Sequence, residues 1–373
     1  MRIGVLTSSR ADYGIYLPLL RRLKADDRFD LSLIAFGTHL KKEFGYTLHQ
    51  ILEDGISVQY TIDNLENGDD VLSITKSYAK TIELFAPFWQ DHQHSFDIVF
   101  CLGDRFEMAA AVNAGIPFGI KFAHFHAGET TLGAIDNIYR HQISLASNLH
   151  FVSVPQFAER VHHLLDRKDT TTIIGSLSLL NLNDIPLLSD AAFFEKWNID
   201  LNKPSILVTV HPETVHYQQN ENFSQEIYTA LSTLSKTYQI IVTLPNADTN
   251  GSVFRKQFYR LKEKVSSVHL IENFGTKSYF TCMKRVDFLL GNTSSGIIEA
   301  ASFGKYVLNI GDRQKGRFAP ENVIHVPFDA QKIIEKTAEI SGKTFTGENP
   351  YYNTNALELT LTSLLKNVVY DVL

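Results

Sequence analysis

Short apolar runs alternate along the chain with longer stretches in which apolar residues recur at helical spacing. The runs predict strands, and the longer stretches, such as 16–24 and 71–90, predict amphipathic helices. This alternation is typical of parallel sheets with helices on both faces. The predicted strands are 3–7, 31–36, 98–102, 119–125, 149–152 and 172–174 in the first half, then 206–210, 240–244, 268–271, 288–290 and 306–310.

The alternation of strand and helix patterns stops after Gly175, where the segment SLSLLNLNDIPLLSD contains Pro186. A chain of 373 residues also exceeds what one hydrophobic core usually serves. The pattern therefore predicts an α/β protein of two Rossmann-like, doubly wound domains that face each other across a cleft. We place the first domain at 1–176 and the second at 177–354, with a C-terminal helix within 355–373 packing back onto the first.

Composition narrows the function classes. The net charge is −6, and the 35 basic residues are scattered rather than grouped, which argues against nucleic acid or an acidic membrane as partner. No apolar run approaches the roughly 18 residues of a membrane span, so we predict a cytoplasmic protein. Cys101 and Cys282 lie in apolar segments without metal or redox spacing, which predicts buried packing thiols.

Polar loops follow the predicted strands, and ligands of open α/β sheets bind beyond the carboxyl ends of strands. The Rossmann GxGxxG fingerprint and the Walker A loop are both absent from the sequence. The loops read SSRADYG, GTHL, LGDR and HFHAGE in the first half, and HPET, PNADTNG, NFG, GNTSSG and GDRQKGR in the second.

GNTSSGIIEA, residues 291–300, predicts a turn that opens a helix. Hydroxyls of Ser294 and Ser295 and backbone amides near Gly296 would suit a diphosphate, and Glu299 could accept hydrogen bonds from ribose hydroxyls. The plain alternative is an ordinary Ser-capped helix.

The loop GDRQKGR adds cations one strand later. We favour Arg313 as the phosphate contact, because a guanidinium can bind phosphate oxygens bidentately, and keep Lys315 and Arg317 as secondary candidates. A solvated charge run is the alternative.

Residues 101–141 hold the densest set of ionisable groups, at the ends of two apolar strands. Isolated buried charges are costly, so this density indicates half of an active site. The groups are Asp104, Arg105, Glu107, His124, His126, Glu129, Asp136, Arg140 and His141.

Each group in this segment has alternative interpretations. His124 and His126 share one face of a strand, but no further ligand follows at metal spacing, so we predict no metal and favour His126 over a structural His124. Asp104 is a candidate base or sugar contact, with a helix N-cap as the alternative. Asp136 is a candidate base fixed by Arg140, with a plain i,i+4 salt bridge as the alternative.

Two further residues stand at strand ends. Pro212 stops the strand 206–210, which leaves the His211 imidazole at its edge with a pKa suited to proton transfer. Arg10, in the first loop, is a candidate phosphate or transition-state contact. His39, Asn246 and Asp248 are weaker and predicted only to line the site.

The ordered motifs RADYG, GTHL, GDRFE, HxHAGE, DxxxRH, HPET, PNAD, GNTSSGIIEA and GDRQKGR resemble those of the hydrolysing UDP-N-acetylglucosamine 2-epimerase family of sialic and related nonulosonic acid synthesis. The resemblance spans residues 10–326. It implies a GT-B-like fold, no metal or nicotinamide cofactor, a UDP-sugar substrate and a homodimer. The implied reaction turns UDP-GlcNAc and water into N-acetylmannosamine and UDP, by elimination to 2-acetamidoglucal and then hydration.

The resemblance also assigns roles. It places Asp104, His126, Asp136, His211 and Arg10 as catalytic, and implies a substrate or UDP site made of Arg105, Glu129, Arg140, Phe274, Ser294, Ser295, Gly296, Glu299 and Arg313. Two positions depart from the family pattern: His126 stands where animal and non-hydrolysing relatives have glutamate, and Ile15 where some members have lysine. Which of Asp104, His126 and Asp136 removes the C2 proton stays open.

Three rival enzymes fit the same sequence. One is a hydrolysing epimerase of UDP-N,N'-diacetylbacillosamine for legionaminate, another is a non-hydrolysing epimerase, and the third is a GT-B glycosyltransferase. A nucleotide-sugar sensor without activity is the rival from another class, and the clustered acids argue against it.

Overall fold

The computed structural model describes residues 1–68, 70–180, 182, 185–215, 217–245 and 251–369. They form two compact units. Unit 1 comprises the described residues of 1–129, 136–181 and 351–373, and unit 2 those of 130–135 and 182–350. Residues 130–135 therefore belong to unit 2 although unit 1 precedes and follows them in sequence, an excursion that no sequence signal indicated.

Unit 1 is built on a seven-stranded parallel sheet in the order β3-β2-β1-β4-β5-β6-β7. Its strands are β1 (Arg2–Thr7), β2 (Asp30–Phe36), β3 (Val58–Ile62), β4 (Ile98–Leu102), β5 (Phe122–Phe125), β6 (Leu149–Val152) and β7 (Thr171–Ile173). The chain builds outward from β1 through β2 to β3, then restarts at β4 on the other side of β1. Connectivity thus reverses between β1 and β4, and this is the topological switch point of unit 1.

Helices cover both faces of this sheet. They are α1 (Arg10–Lys24), α2 (Leu48–Glu53), α3 (Val71–His92), α4 (Phe106–Gly115), α5 (Asp136–Ala146), α6 (Pro155–Leu165) and α13 (Ala356–Val369). Leu361 and Leu364 of α13 are buried in the same core as Tyr16 and Leu20 of α1. The last described helix thus completes a core that begins with the first strand.

Unit 2 repeats the arrangement with a six-stranded parallel sheet in the order β10-β9-β8-β11-β12-β13. Its strands are β8 (Ser205–Thr209), β9 (Gln239–Thr243), β10 (Val268–Ile271), β11 (Phe288–Gly291), β12 (Val307–Ile310) and β13 (Val323–Val326). Its helices are α7 (Asp190–Trp197), α8 (Asn220–Leu234), α9 (Gly251–Lys264), α10 (Gly275–Arg285), α11 (Ser294–Ile298) and α12 (Ala330–Ile340). Connectivity reverses between β8 and β11.

The fold-class prediction of two doubly wound α/β domains is confirmed. The prediction missed β3 and β13, which lie at sheet edges and are only partly buried. Central parallel strands are covered on both faces and form apolar runs, whereas half-exposed edge strands carry polar residues that weaken this signal. Cys101 and Cys282 are buried free thiols, and among the described helices none combines the length and apolar character that crossing a bilayer requires.

Candidate functional site

The switch point of unit 1 brings together two predicted residues from distant parts of the sequence. β1 and β4 pair in parallel, with Ile3 opposite Ile98. Arg10 follows β1 and Asp104 follows β4, so both lie at the carboxyl edge of the sheet where connectivity reverses. This is the edge at which doubly wound sheets bind ligands.

Four predicted residues form a continuous chain of ionic and hydrogen-bonded contacts at this edge, which we name the buried ionic chain: Asp104, Arg140, Glu129 and His126. The Arg140 guanidinium pairs with Asp104 through Nη2, and through Nη1 with Glu129 at 3.3 Å. His126 Nδ1 lies 2.9 Å from Glu129 Oε1. The alternative of a plain i,i+4 pair between Asp136 and Arg140 is therefore incomplete, because Arg140 bridges two other carboxylates.

Burial makes these contacts strong and obligatory. The side chain of Arg140 is only 3% exposed and that of Glu129 only 2%, whereas Asp104 retains 23%. Burial alone would lower the pKa of Arg140, but the neighbouring carboxylates of Asp104 and Glu129 outweigh it and raise that pKa. Arg140 is thus a fixed cation, and Asp104 is the member of the chain most open to solvent.

His126 occupies an unusual backbone position directly after β5. Its φ is +62°, in the left-handed region that non-glycine residues seldom adopt. The residue is 8% exposed, and its Nε2 is buried without a hydrogen-bond partner among the described residues. Glu129 therefore contacts one ring nitrogen, whereas the other nitrogen is buried and has no partner in the described parts of the chain.

His124 differs from His126 although both come from the same motif. Its Nε2 lies 2.8 Å from the Gly103 carbonyl and its Nδ1 lies 2.9 Å from Ser144 Oγ. Burial lowers the pKa of His124 well below its usual range, although the hydrogen bond to Gly103 opposes this. His124 is a neutral structural histidine, and the described residues contain no group of three or more His, Cys, Asp or Glu placed to hold a metal.

The remaining candidates of residues 101–141 flank the buried ionic chain. Arg105 is the N-cap residue of α4 and pairs through Nε with the fully buried Glu107. Asp136 is the first residue of α5 and is partly buried. Burial, followed by the nearby cations Arg140 and Arg160, lowers the pKa of His141. His141 is therefore kept neutral by its surroundings.

The loop after β1 is held rigidly by its own side chains. The buried Asp12 carboxylate accepts hydrogen bonds from the Ser8 backbone at 2.7 Å and from the Ser9 hydroxyl, and Ser9 caps α1. Burial lowers the pKa of Arg10. His39 is fully buried between Thr7 and Thr47 hydroxyls, so its role here is structural.

The switch point of unit 2 is spanned by a reciprocal pair of hydrogen bonds. Asn292, after β11, accepts from the His211 backbone N–H at 2.7 Å and donates to its carbonyl at 2.9 Å. Gly291 is required here, because a Cβ at this position would overlap the Thr209 carbonyl. The Asn292 side chain thus fixes the His211 backbone, and the sequence reasoning missed Asn292 although it lies inside GNTSSG.

The segment after Asn292 makes a shorter helix than the sequence suggested. Thr293, not serine, is its N-cap, and α11 ends at Ile298 before a 3₁₀ turn at Ala300–Phe303. The Ser295 hydroxyl donates to Glu299. The Gly296 backbone packs against Val307, and a Cβ there would come within 3.1 Å of that side chain.

Glu213 anchors the loop that carries Arg313. Its Oε1 accepts a hydrogen bond from the Asp312 backbone N–H at 2.6 Å, and any side chain at Gly311 would collide with this carboxylate. Leu132 donates its backbone N–H to the Lys315 carbonyl of the same loop at 2.9 Å. Glu213 belongs to the motif HPET, whose glutamate the sequence reasoning passed over.

Other sequence candidates lie elsewhere. Phe274 is 5% exposed and packs its ring against Phe193 and Trp197, with centroids 5.6 and 4.8 Å away. This packing is that of a core side chain, and the structure does not bring Phe274 together with the polar groups of the switch point. Asn246 and Asp248 lie outside the described residues.

Comparison with known proteins shows which family the chain belongs to. A sequence model described as UDP-N-acetylglucosamine 2-epimerase matches residues 21–365, which is most of the chain. The chain belongs to the UDP-N-acetylglucosamine 2-epimerase family.

Two curated relatives illustrate the family's range. A Campylobacter jejuni protein named GDP/UDP-N,N'-diacetylbacillosamine 2-epimerase (hydrolyzing) is 32% identical over 90% of this chain and 87% of its own. An Escherichia coli protein named polysialic acid biosynthesis protein P7 is 30% identical over 95% of this chain and 91% of its own.

The fold is shared with a solved member of the family. The structure of UDP-GlcNAc 2-epimerase from Neisseria meningitidis bound to UDP-GlcNAc superposes with a TM-score of 0.83 at 22% identity, covering 98% of this chain and 100% of that one. This likeness shows the fold of this family member.

Proposed function

We propose that this family member is a hydrolysing UDP-N-acetylglucosamine 2-epimerase that converts UDP-GlcNAc and water into N-acetylmannosamine and UDP. The observation that carries the proposal is the buried ionic chain at the switch point of unit 1. It connects to one fixed cation the partly exposed Asp104 carboxylate and His126, whose buried Nε2 has no partner among the described residues. A C2 proton is weakly acidic, and its removal needs such a positioned base.

The proposed reaction has two balanced stages. In the first, the Asp104 carboxylate takes the C2 proton while the bond from C1 to the phosphate oxygen breaks, giving UDP and 2-acetamidoglucal. In the second, water adds its oxygen to C1 and a proton reaches C2 from the opposite face. We assign this second stage to Asp136 and His126, with His211 and Arg10 at the leaving phosphate.

Unit 2 is proposed to bind the UDP portion. The proposed phosphate donors follow β11 and are the hydroxyls of Ser294 and Ser295 and the amides that open α11. The Ser295 hydroxyl, which donates to Glu299 in this structure, would turn to the phosphate. Glu299 is proposed to accept from ribose, and Arg313 to contact phosphate. The stabilisation of the departing diphosphate would come from these groups.

Hydrolysis, rather than return of a UDP-sugar, is supported by the name of the Campylobacter jejuni relative. The same name favours a second candidate substrate, UDP-N,N'-diacetylbacillosamine. The name of the Escherichia coli relative supports a place in sialic or related nonulosonic acid synthesis.

One experiment tests reaction and substrate together. The purified protein is incubated in heavy water with UDP-GlcNAc and, separately, with UDP-diacetylbacillosamine, and the products are measured by mass spectrometry. Free sugar with deuterium at C2 and equimolar UDP supports the proposal. The UDP-sugar that is converted faster is the substrate. Recovery of a UDP-sugar epimer would favour the non-hydrolysing reaction, and transfer to an acceptor without C2 exchange would favour a glycosyltransferase.

We also propose a cytoplasmic homodimer. Exposed apolar side chains on α5, among them Ile138 at 58% and Leu145 at 57% exposure, are consistent with a surface that another subunit covers. Sedimentation equilibrium at several concentrations measures the mass, and a monomer throughout would refute the assembly.

A further inference from the structure

Glu129 differs from a ligand-binding carboxylate in how its oxygens are used. Oε1 faces His126 Nδ1 at 2.9 Å and the Ser153 hydroxyl at 3.4 Å, while Oε2 faces Arg140 at 3.3 Å. The residue is 1% exposed. An ionised carboxylate is only an acceptor, so both oxygens are committed to groups inside the protein. Its effect on a bound sugar must pass through one of those groups.

The contact with His126 determines which ring nitrogen carries hydrogen. A carboxylate at Nδ1 requires Nδ1–H as donor, which leaves Nε2 of the neutral ring as an acceptor. That Nε2 is the buried atom without a partner among the described residues. An unsatisfied buried nitrogen is destabilising, and a ligand that supplies the missing hydrogen removes this cost.

The surroundings of His126 orient its ring through Glu129. His126 adopts φ +62° immediately after β5, in a left-handed region that strains a non-glycine residue. Arg140 fixes Glu129 from the other side and is itself tied to Asp104. The imidazole is thereby oriented by a carboxylate that a buried cation locks.

We infer that Glu129 is a positioning residue that keeps His126 Nε2 unprotonated, so that His126 accepts the proton of the water that adds to C1 in the second stage. The inference rests on the proposed function. As the oxygen of water bonds to C1, one water O–H bond breaks and its proton passes to Nε2, while C2 receives a proton from the Asp136 carboxyl group. Solvent reprotonates Asp136 before the next turnover, and Asp104 releases to solvent the proton that it took from C2. The imidazolium is stabilised by Glu129 and then returns its proton to solvent.

The test exploits the two stages of the reaction. Glu129→Gln places an amide at Nδ1, whose NH₂ favours the ring with hydrogen on Nε2, the wrong form for an acceptor. Formation of free sugar should fall about 10²-fold, since general base catalysis contributes roughly that much or more. Release of UDP should fall less, and 2-acetamidoglucal should accumulate. Coupled UDP assay and mass spectrometry of the sugars follow both products in one reaction.

A double-variant comparison distinguishes positioning from other roles. If Glu129 acts through His126, Glu129→Gln combined with His126→Gln is no slower than His126→Gln alone; independent roles would multiply the losses. Glu129→Asp keeps the carboxylate and should recover part of the rate. Ser153→Ala removes only the 3.4 Å hydrogen bond to Glu129 and should remain near wild type.

A second variant covers the case in which Glu129→Gln fails to fold. His126→Gly relaxes the left-handed backbone and leaves space for added imidazole, which should restore sugar formation. Three outcomes would overturn the inference. The Glu129 or His126 variants could lose UDP release and sugar release equally, or the losses of the two single variants could multiply in the double variant. The third outcome is a His126→Gly protein that still binds UDP but is not rescued by imidazole. Failure of the proposed function would instead leave the wild-type protein unable to release UDP from either sugar.

Discussion

At the switch point of unit 1, charged side chains are paired with one another inside the protein, as Asp104, Arg140 and Glu129 show. At the corresponding point of unit 2, the segment after β11 carries neutral groups, namely Asn292, serine hydroxyls and backbone amides, and its one carboxylate, Glu299, accepts a hydrogen bond from the Ser295 hydroxyl. The same topology thus presents two kinds of surface. Buried charge pairs fix protonation and orientation, whereas neutral donors bind an anion without any change of protonation.

The largest expected effect is the loss of activity on replacing Asp104 in unit 1. Asp104→Asn removes the one accessible carboxylate of the buried ionic chain, and we expect kcat to fall about 10²–10⁴-fold. UDP affinity, measured by calorimetry, should change little because UDP binding is assigned to unit 2. Asp97→Asn, at the opposite end of β4, is the matched control and should keep wild-type activity. Full activity in Asp104→Asn would remove the distinction between the units.

A stability measurement tests the ion pairs that Arg140 makes with Asp104 and Glu129. Arg140→Met leaves two carboxylates without their cation, one of them fully buried, and should lower the free energy of unfolding by about 3–5 kcal/mol. Urea denaturation followed by circular dichroism measures this. Arg2→Met breaks an exposed pair with Asp97 and should have little effect, because surface pairs contribute little. Similar losses of unfolding free energy in both variants would show that the buried ion pairs stabilise the protein no more than the exposed pair does.

The neutral groups of unit 2 are examined by Ser294→Ala combined with Ser295→Ala. Loss of hydroxyl donors to a charged phosphate should weaken UDP binding about tenfold or more, since such hydrogen bonds contribute about 1.5–3 kcal/mol each. Calorimetry with UDP gives the affinity. Ser232→Ala in α8, whose hydroxyl bonds its own helix, is the control. An unchanged dissociation constant would refute the assignment of UDP to this surface.

The smallest expected effect is a change in how the stability of the protein depends on pH, caused by His124 in unit 1. The pKa of folded His124 is lowered by burial, so this histidine stays neutral while the unfolded chain takes up a proton near pH 6.5. Stability is therefore full above that pH and declines as the pH falls, by about 1.4 kcal/mol per unit for this group. Urea midpoints between pH 7.5 and 5.5 should show a slope that His124→Gln reduces. An identical slope in the variant would contradict the argument.

The sequence predicted the central strands well because they are covered on both faces. The central strands β4 and β6 begin and end where the apolar runs do. Of the edge strands, β10 was predicted with its observed bounds, whereas β3 and β13 were missed. The polar loops after strands were also recognisable, since residues at adjacent carboxyl ends must be neighbours in a parallel sheet. That rule brought Asp104 and Arg10 to one edge.

The partners within the site could not be predicted in this way. Nothing in HFHAGE indicates that Glu129 turns inward to bridge His126 and Arg140, because this depends on the left-handed backbone at His126. Phe274 shows a further limit of spacing, since a residue in a strand-end loop can still pack into the core. Side-chain direction is decided by tertiary packing, which spacing alone does not encode.

The position of α13 has a consequence for how the protein is made. Unit 1 starts with the first residues of the chain, yet Leu361 and Leu364 of α13 complete its core. During synthesis from the N-terminus, the sheet of unit 1 must therefore wait, with apolar surface uncovered, until unit 2 has been translated. Truncation before residue 356 would leave that surface permanently open, so a stable fragment of unit 1 would have to carry α13 attached by a new linker.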